Sequence, residues 1–223
     1  MDFLATFFDN YGMLLAQGTW DTLLMTIVST FFAYVIGIPL GVLCVLTSPK
    51  GLMPHRIFNM VLGWIINIGR SIPFIILLVA LIPFTRFIVG TSLGVPGAIV
   101  PLVISAAPFI ARMVEQSIEE VDGGLVEAAQ SFGANTWQIV YKVFLREALP
   151  SLVRGFAIVF ITILGYSAMA GCVGAGGLGD IAIRYGYQRF MPDVMLAVVV
   201  ILIVFVQSLQ SFGDWLVKRM SHR

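Results

Sequence analysis

Charge is scarce in this chain. Asp, Glu, Lys and Arg make up 11% of its 223 residues, 59% are hydrophobic and the mean hydropathy is +0.97, whereas a soluble domain carries roughly a quarter charged residues. That balance excludes an ordinary soluble fold and points to the bilayer. A net charge of +1 provides no basic face for nucleic acid. Cysteine is limited to Cys44 and Cys172, both in apolar stretches with no CxxC or Cys/His grouping. Buried apolar side chains are expected there, with neither a disulfide nor a metal centre. Histidine is limited to His55 and His222, outside the apolar stretches, which removes the usual base for an intramembrane hydrolase. Ser167 also lacks a GxSxG setting. No Gly-x-x-x-x-Gly-Lys-Ser/Thr phosphate loop occurs, so the chain is not expected to be an ATPase or any other enzyme.

Crossing the hydrocarbon takes about 20 apolar residues as a helix, because the backbone must satisfy its own hydrogen bonds there. Five segments qualify: 20–45, 57–83, 93–111, 149–173 and 194–215. The expected fold class is an all-α integral membrane protein with five transmembrane helices. Residues 1–18 hold Asp2 and Asp9, no Lys or Arg, and no compact apolar core. They read as a short N-terminal extension, an interfacial helix with Phe3, Phe7, Phe8 and Tyr11, and not as a cleavable signal. Residues 19–217 form one membrane domain, and 218–223 a basic tail. Lys50, Arg56, Arg112, Lys142, Arg146, Arg154, Lys218, Arg219 and Arg223 fall on one side, and Arg86, Arg184 and Arg189 on the other. Nine against three puts the N-terminus outside and the C-terminus in the cytoplasm.

Between the third and fourth spans lies a polar, amphipathic insert, about 119–148, which that orientation places in the cytoplasm. Val126, Ala129, Gly133, Trp137, Val140, Phe144 and Ala148 recur at the spacing of one helix face. Local chemistry divides the stripe in two. Gly133 suits the C-terminal cap of a first helix, and Asn135 with Gln138 forms a capping-box pattern for a second. A helical hairpin with its tip at 131–137 is expected. Such a loop either covers its own chain or serves as a knob in a partner's groove.

Inside the spans, Arg70 is followed by Ser71 and Pro73. A guanidinium at membrane depth costs at least about 2.5 to 3.5 kcal/mol, so it should face protein or water. Arg70 either lines a pathway and attracts a carboxylate, or satisfies carbonyls freed by Pro73 and locks a kink. Tyr166, Ser167 and Met169 form a hydroxyl and thioether strip at the depth of a gate, or ordinary helix packing. Gly174, Gly176 and Gly179 literally fit GxGxxG, but a membrane helix precedes them and no acid lies about 20 residues on. Close helix packing and a loop with positive φ are expected instead.

The insert, with Glu127, Ala128, Ala129, Gly133, Val143 and Leu145 at the family spacing, resembles the EAA loop of ABC importer permeases. Arg146 stands where that loop has Pro, with Pro150 four residues later, and Asp122 occupies another position where Pro is common. The runs RSIPFIILL, IPFTRFIVGTS, AAPFIARMVE and GYSAMAG extend the likeness to the permeases of methionine-type ABC importers, over nearly the whole chain. The resemblance implies a type I importer fold, a homodimer, two cytoplasmic ATPase subunits carrying ATP and Mg, and an extracytoplasmic binding protein, in a bacterial inner membrane. It also implies that Glu127, Ala128, Ala129, Gly133, Ala134, Asn135, Thr136 and Trp137 couple to the ATPase. Methionine or another small amphiphilic solute would be the cargo. An ion-coupled transporter acting alone is the reading of another class, opposed by the lack of ionisable residues other than Arg70 near the span centres.

Overall fold

The structure, a computed structural model, describes residues 2–221. His222 and Arg223 of the expected basic tail lie outside the described residues. Among the described residues the regular structure is entirely helical. In chain order the helices are α1 (Asp2–Thr47), α2 (Arg56–Ser71), α3 (Phe74–Ala80), α4 (Ile82–Val89), α5 (Gly94–Glu119) and α6 (Gly123–Ser131). Then come α7 (Thr136–Ile139), a π-helical turn (Val140–Phe144), α8 (Leu145–Glu147), α9 (Leu149–Gly171), α10 (Gly177–Ile181), a second π-helical turn (Ala182–Tyr187) and α11 (Pro192–Ser221).

Four of these helices are long and apolar enough to cross a membrane, and a fifth span exists if α2 and α3, bent by 103°, count as one. The break has a local cause. Proline pushes the preceding residue out of the helical region, and Ile72 is accordingly extended at φ −86°, ψ 123°. Arg70 therefore sits in the last turn of α2 and is exposed, not at the middle of a continuous span.

Residues 2–18 continue α1 without interruption. The apolar part of α1, Thr6–Thr47, has 42 residues, about 63 Å at 1.5 Å per residue. That is roughly twice the hydrocarbon thickness, so an upright α1 cannot be wholly immersed. Phe7 and Tyr11 are half-buried. They pack beside a core of Leu15, Leu178, Ile181, Val194 and Val198, and the Tyr11 hydroxyl donates to Met191 Sδ at 3.9 Å.

The chain divides into two compact units. The first comprises Met1–Phe31, Pro73–Val103 and Phe160–Ser211. There the buried Thr22 hydroxyl donates to Gly18 O at 2.8 Å and accepts from the Leu178 N–H at 2.8 Å, fixing the start of α10. The loop before α10 carries Gly174, Gly176 and Gly177 at φ 89°, 81° and 76°, the positive-φ glycine loop expected from sequence. The loop ends α9 at Gly171, so Cys172 is exposed and not buried within a span.

The second unit comprises Phe32–Ile72, Ile104–Val159 and Phe212–Arg223. Its small core joins Cys44, Leu62, Ile66 and Ala111. Gly41 lets α1 approach α5 closely, since a Cβ there would lie 2.5 Å from the Ala111 carbonyl oxygen. Asn59 ties α2 to the end of α1 by donating to Cys44 O at 2.7 Å and Thr47 Oγ1 at 3.2 Å.

Candidate functional site

The insert folds as a hairpin built from capping chemistry. Asp122 begins α6 by accepting from the Gly124 N–H at 2.8 Å, so an acidic N-cap does at this position what a helix-starting Pro would do. At the other end the Gly133 N–H reaches Gln130 O at 2.9 Å and the Ala134 N–H reaches Ala129 O at 3.0 Å. With Gly133 left-handed at φ 78°, these two bonds form a Schellman cap. Asn135 then starts α7 directly. Its side chain accepts from the Gln138 N–H at 2.9 Å, and the Gln138 side chain accepts from the Asn135 N–H at 2.9 Å. The reciprocal box satisfies two otherwise orphaned donors. Arg146 lies exposed in the three-residue α8, and Pro150 occupies the first turn of α9, where a missing N–H costs nothing.

Past the turn, Ile139, Val140, Phe144 and Ala148 are buried and anchor the second arm. Trp137, expected on that face, is instead 74% exposed. The tip as a whole turns its large apolar groups outward: Phe132 is 92% exposed and Tyr141 78%. Trp137 and Tyr141, four residues apart, share a face. Glu127, Ala128 and Asn135 are also exposed, while Ala129, Ala134 and Thr136 are half-buried. Glu127 holds the first arm through its carbonyl, which accepts from Ser131 Oγ at 2.9 Å. Phe132 and Tyr141 escaped the sequence reading. The signal available for them was bulky aromatic residues inside an otherwise polar loop.

The residues proposed inside the spans are dispersed. Ser71 Oγ donates to Asn67 O at 2.7 Å, and Pro73 precedes α3 with no side-chain cap. Arg70 makes no hydrogen bond or ion pair among the described residues, so it does not lock the bend. In the first unit, the Tyr166 ring stacks on Phe74 with centroids 4.6 Å apart and planes 1° from parallel. Ser167 is buried, and its hydroxyl donates to Leu164 O at 2.7 Å within its own helix. Met169 is 48% exposed. Three neighbouring positions thus point into a ring stack, into the protein and outward, so they do not make one strip.

Arg70 lies beside Arg112, which donates to Glu115 Oε2 at 2.6 Å and to Asn67 Oδ1 at 2.9 Å, along one cavity of the second unit. Among the described residues no group of His, Cys, Asp and Glu side chains could hold a metal ion.

Residues 34–222 match the family of binding-protein-dependent transport system inner membrane components. The chain belongs to that family. This permease is 50% identical over 220 residues to the probable D-methionine transport system permease protein MetI of Vibrio cholerae, covering 99% of this chain and 98% of that protein. Against the Pasteurella multocida counterpart it is 49% identical, covering 94% and 97% of the two chains. A solved structure of the MetNI methionine ABC transporter in inward facing conformations superimposes with TM-score 0.92 at 52% identity, covering 94% of the permease and 97% of the solved chain. An amino acid ABC transporter aligns with TM-score 0.77 at 21% identity, covering 98% and 99%, which shows the fold alone. The permease is a multi-pass membrane protein with the type I importer fold.

Proposed function

We propose that this permease forms the translocation pathway of an ATP-driven importer for methionine, as a homodimer carrying two cytoplasmic ATPase subunits that bind ATP and Mg. An extracytoplasmic binding protein delivers the cargo. The close relatives named for methionine transport, and the solved methionine ABC transporter, support this reading. The observation that carries the coupling role is the capped hairpin with Phe132, Trp137 and Tyr141 facing outward. Exposed aromatics on a rigid polar tip are the anchors a partner groove selects. Tilting the hairpin acts through Ile139, Val140 and Phe144, the buried side chains of its second arm, on α9, which begins at Leu149 across the short α8. Motion of the ATPase is thereby delivered to a span.

In this reading Glu127, Ala128, Ala129, Gly133, Ala134, Asn135, Thr136 and Trp137 shape or line the docking tip. Arg70, Ser71 and Pro73 border the pathway, and Tyr166 and Ser167 act at the gate through packing, with Met169 exposed beside them. The surplus of Lys and Arg on the hairpin side supports an outside N-terminus and a cytoplasmic C-terminus in the inner membrane.

Gly133→Val provides the test. Nothing lies within 4 Å of the added Cβ, so the change acts only through the left-handed backbone. ATPase co-purification and ATP-dependent methionine uptake should both fall while membrane insertion persists. Wild-type association and uptake in this variant would remove the coupling assignment.

A further inference from the structure

The second unit holds a cavity of about 400 Å³, a size suited to a small ligand. Three guanidinium groups border it: Arg70 from the last turn of α2, Arg112 from α5 and Arg154 from the second turn of α9. Arg112 is already committed to Glu115 and Asn67. Arg70 and Arg154 have no hydrogen bond or ion pair among the described residues. One carboxylate, Glu120, also lines the cavity, accepting from Ser151 Oγ at 3.4 Å. The remaining wall includes Phe109 and the flexible thioether of Met113.

From this arrangement we infer that the Arg70–Arg112–Arg154 cavity is a transient binding site for a zwitterionic amino acid with an apolar side chain, on the path through the permease. The free guanidiniums of Arg70 and Arg154 receive the carboxylate. Glu120 receives the ammonium. Phe109 and Met113 receive the side chain, for which a soft, adaptable thioether is an apt neighbour. The placement of charge selects this class over a plain anion. Arg112 is paired with Glu115, which leaves two unpaired guanidiniums and one carboxylate, Glu120, on the cavity wall. A dianionic phosphate would be left partly unbalanced beside Glu120, whereas a zwitterion finds a partner for each end. The inference rests on the proposed role of the chain as an amino-acid permease and adds the site that role lacked.

The test uses the complete permease–ATPase complex in nanodiscs without binding protein, and a diazirine analogue of methionine as photolabel. Label should enter the segments 109–113 and 151–158. Excess methionine should displace it about tenfold better than methioninamide, which lacks the carboxylate, as expected for loss of one charged hydrogen-bonded pair. Combined Arg70→Gln and Arg154→Gln should lower the labelling by a similar factor, and Arg70→Lys with Arg154→Lys should restore part of it. Three results would overturn the site: no label in either segment, equal displacement by the amide, or unchanged labelling in the Gln pair. Displacement by anionic phospholipid but not by methionine would also overturn it, and would reassign the cavity to a lipid headgroup. ATP-dependent uptake by the same wild-type complex with its binding protein separates the two levels of the account. Uptake without labelling sinks the site alone, while a lack of methionine uptake sinks the importer reading.

Discussion

Replacing Phe132 and Trp137 with Ala isolates the docking energy of the hairpin tip. At 92% and 74% exposure, neither ring contributes much to the fold of the chain itself, so the permease should unfold at its wild-type temperature. A buried aromatic ring is worth about 1.5 to 3 kcal/mol in transfer free energy, and interface anchors cost at least about 2 kcal/mol on truncation. Each single substitution should therefore weaken ATPase binding by about 2 to 3 kcal/mol, on the order of 30- to 150-fold in Kd. The double variant should fall below detection at micromolar ATPase. Fluorescence titration of labelled ATPase against the permease in nanodiscs reads the Kd, and thermal unfolding of the same sample reads the fold. Affinity within threefold of wild type for the double variant would refute the reasoning, because two of the three exposed rings of the hairpin would then be spectators.

Other substitutions test the local physics. Asn135→Ala deletes the reciprocal cap at the start of α7 and should cost about 1 kcal/mol, seen as faster amide exchange at Gln138, while Asn135→Asp should keep most protection. Thr22→Val leaves the buried Leu178 N–H without its 2.8 Å acceptor and should cost about 1 to 3 kcal/mol; Thr22→Ser should unfold near the wild-type temperature in detergent. Gly179→Ala places a Cβ 2.2 Å from the Ala168 carbonyl oxygen, an overpacking of about 1 to 3 kcal/mol or more. Its folded yield should drop, whereas Gly63→Ala, with nothing within 4 Å, should express like wild type.

The hairpin was legible because helix caps are local chemistry: Gly133, Asn135 and Gln138 announce a stop and a start within six residues. The direction of Trp137 was not. A single 3.6-residue period carried through the insert assumes one continuous helix, but the Gly133 turn resets the phase and the Val140–Phe144 π-turn shifts it again. Ile139 is therefore buried where Trp137 was expected. The boundary drawn at residue 18 follows hydropathy, which reports immersion in lipid and says nothing of helix continuity; no residue there interrupts α1. Pro73 was visible in the sequence, but its effect was read as a kink. Whether a proline kinks or divides a helix depends on packing beyond it, and here the axis turns by 103°. That turn leaves Arg70 at a helix end, where it lines a cavity with Arg112 and Arg154, residues 42 and 84 positions away in sequence. No linear pattern signals such a grouping.

The central claim is that work enters this permease through the hairpin and not through the spans. The direct measurement is methionine accumulation in sealed vesicles holding the permease and the binding protein, with and without the ATPase and ATP. Accumulation above the external concentration only when both ATPase and ATP are present, and its loss in the Phe132→Ala/Trp137→Ala variant, is the predicted result. Uphill accumulation without the ATPase, or undiminished accumulation in that variant, would contradict it.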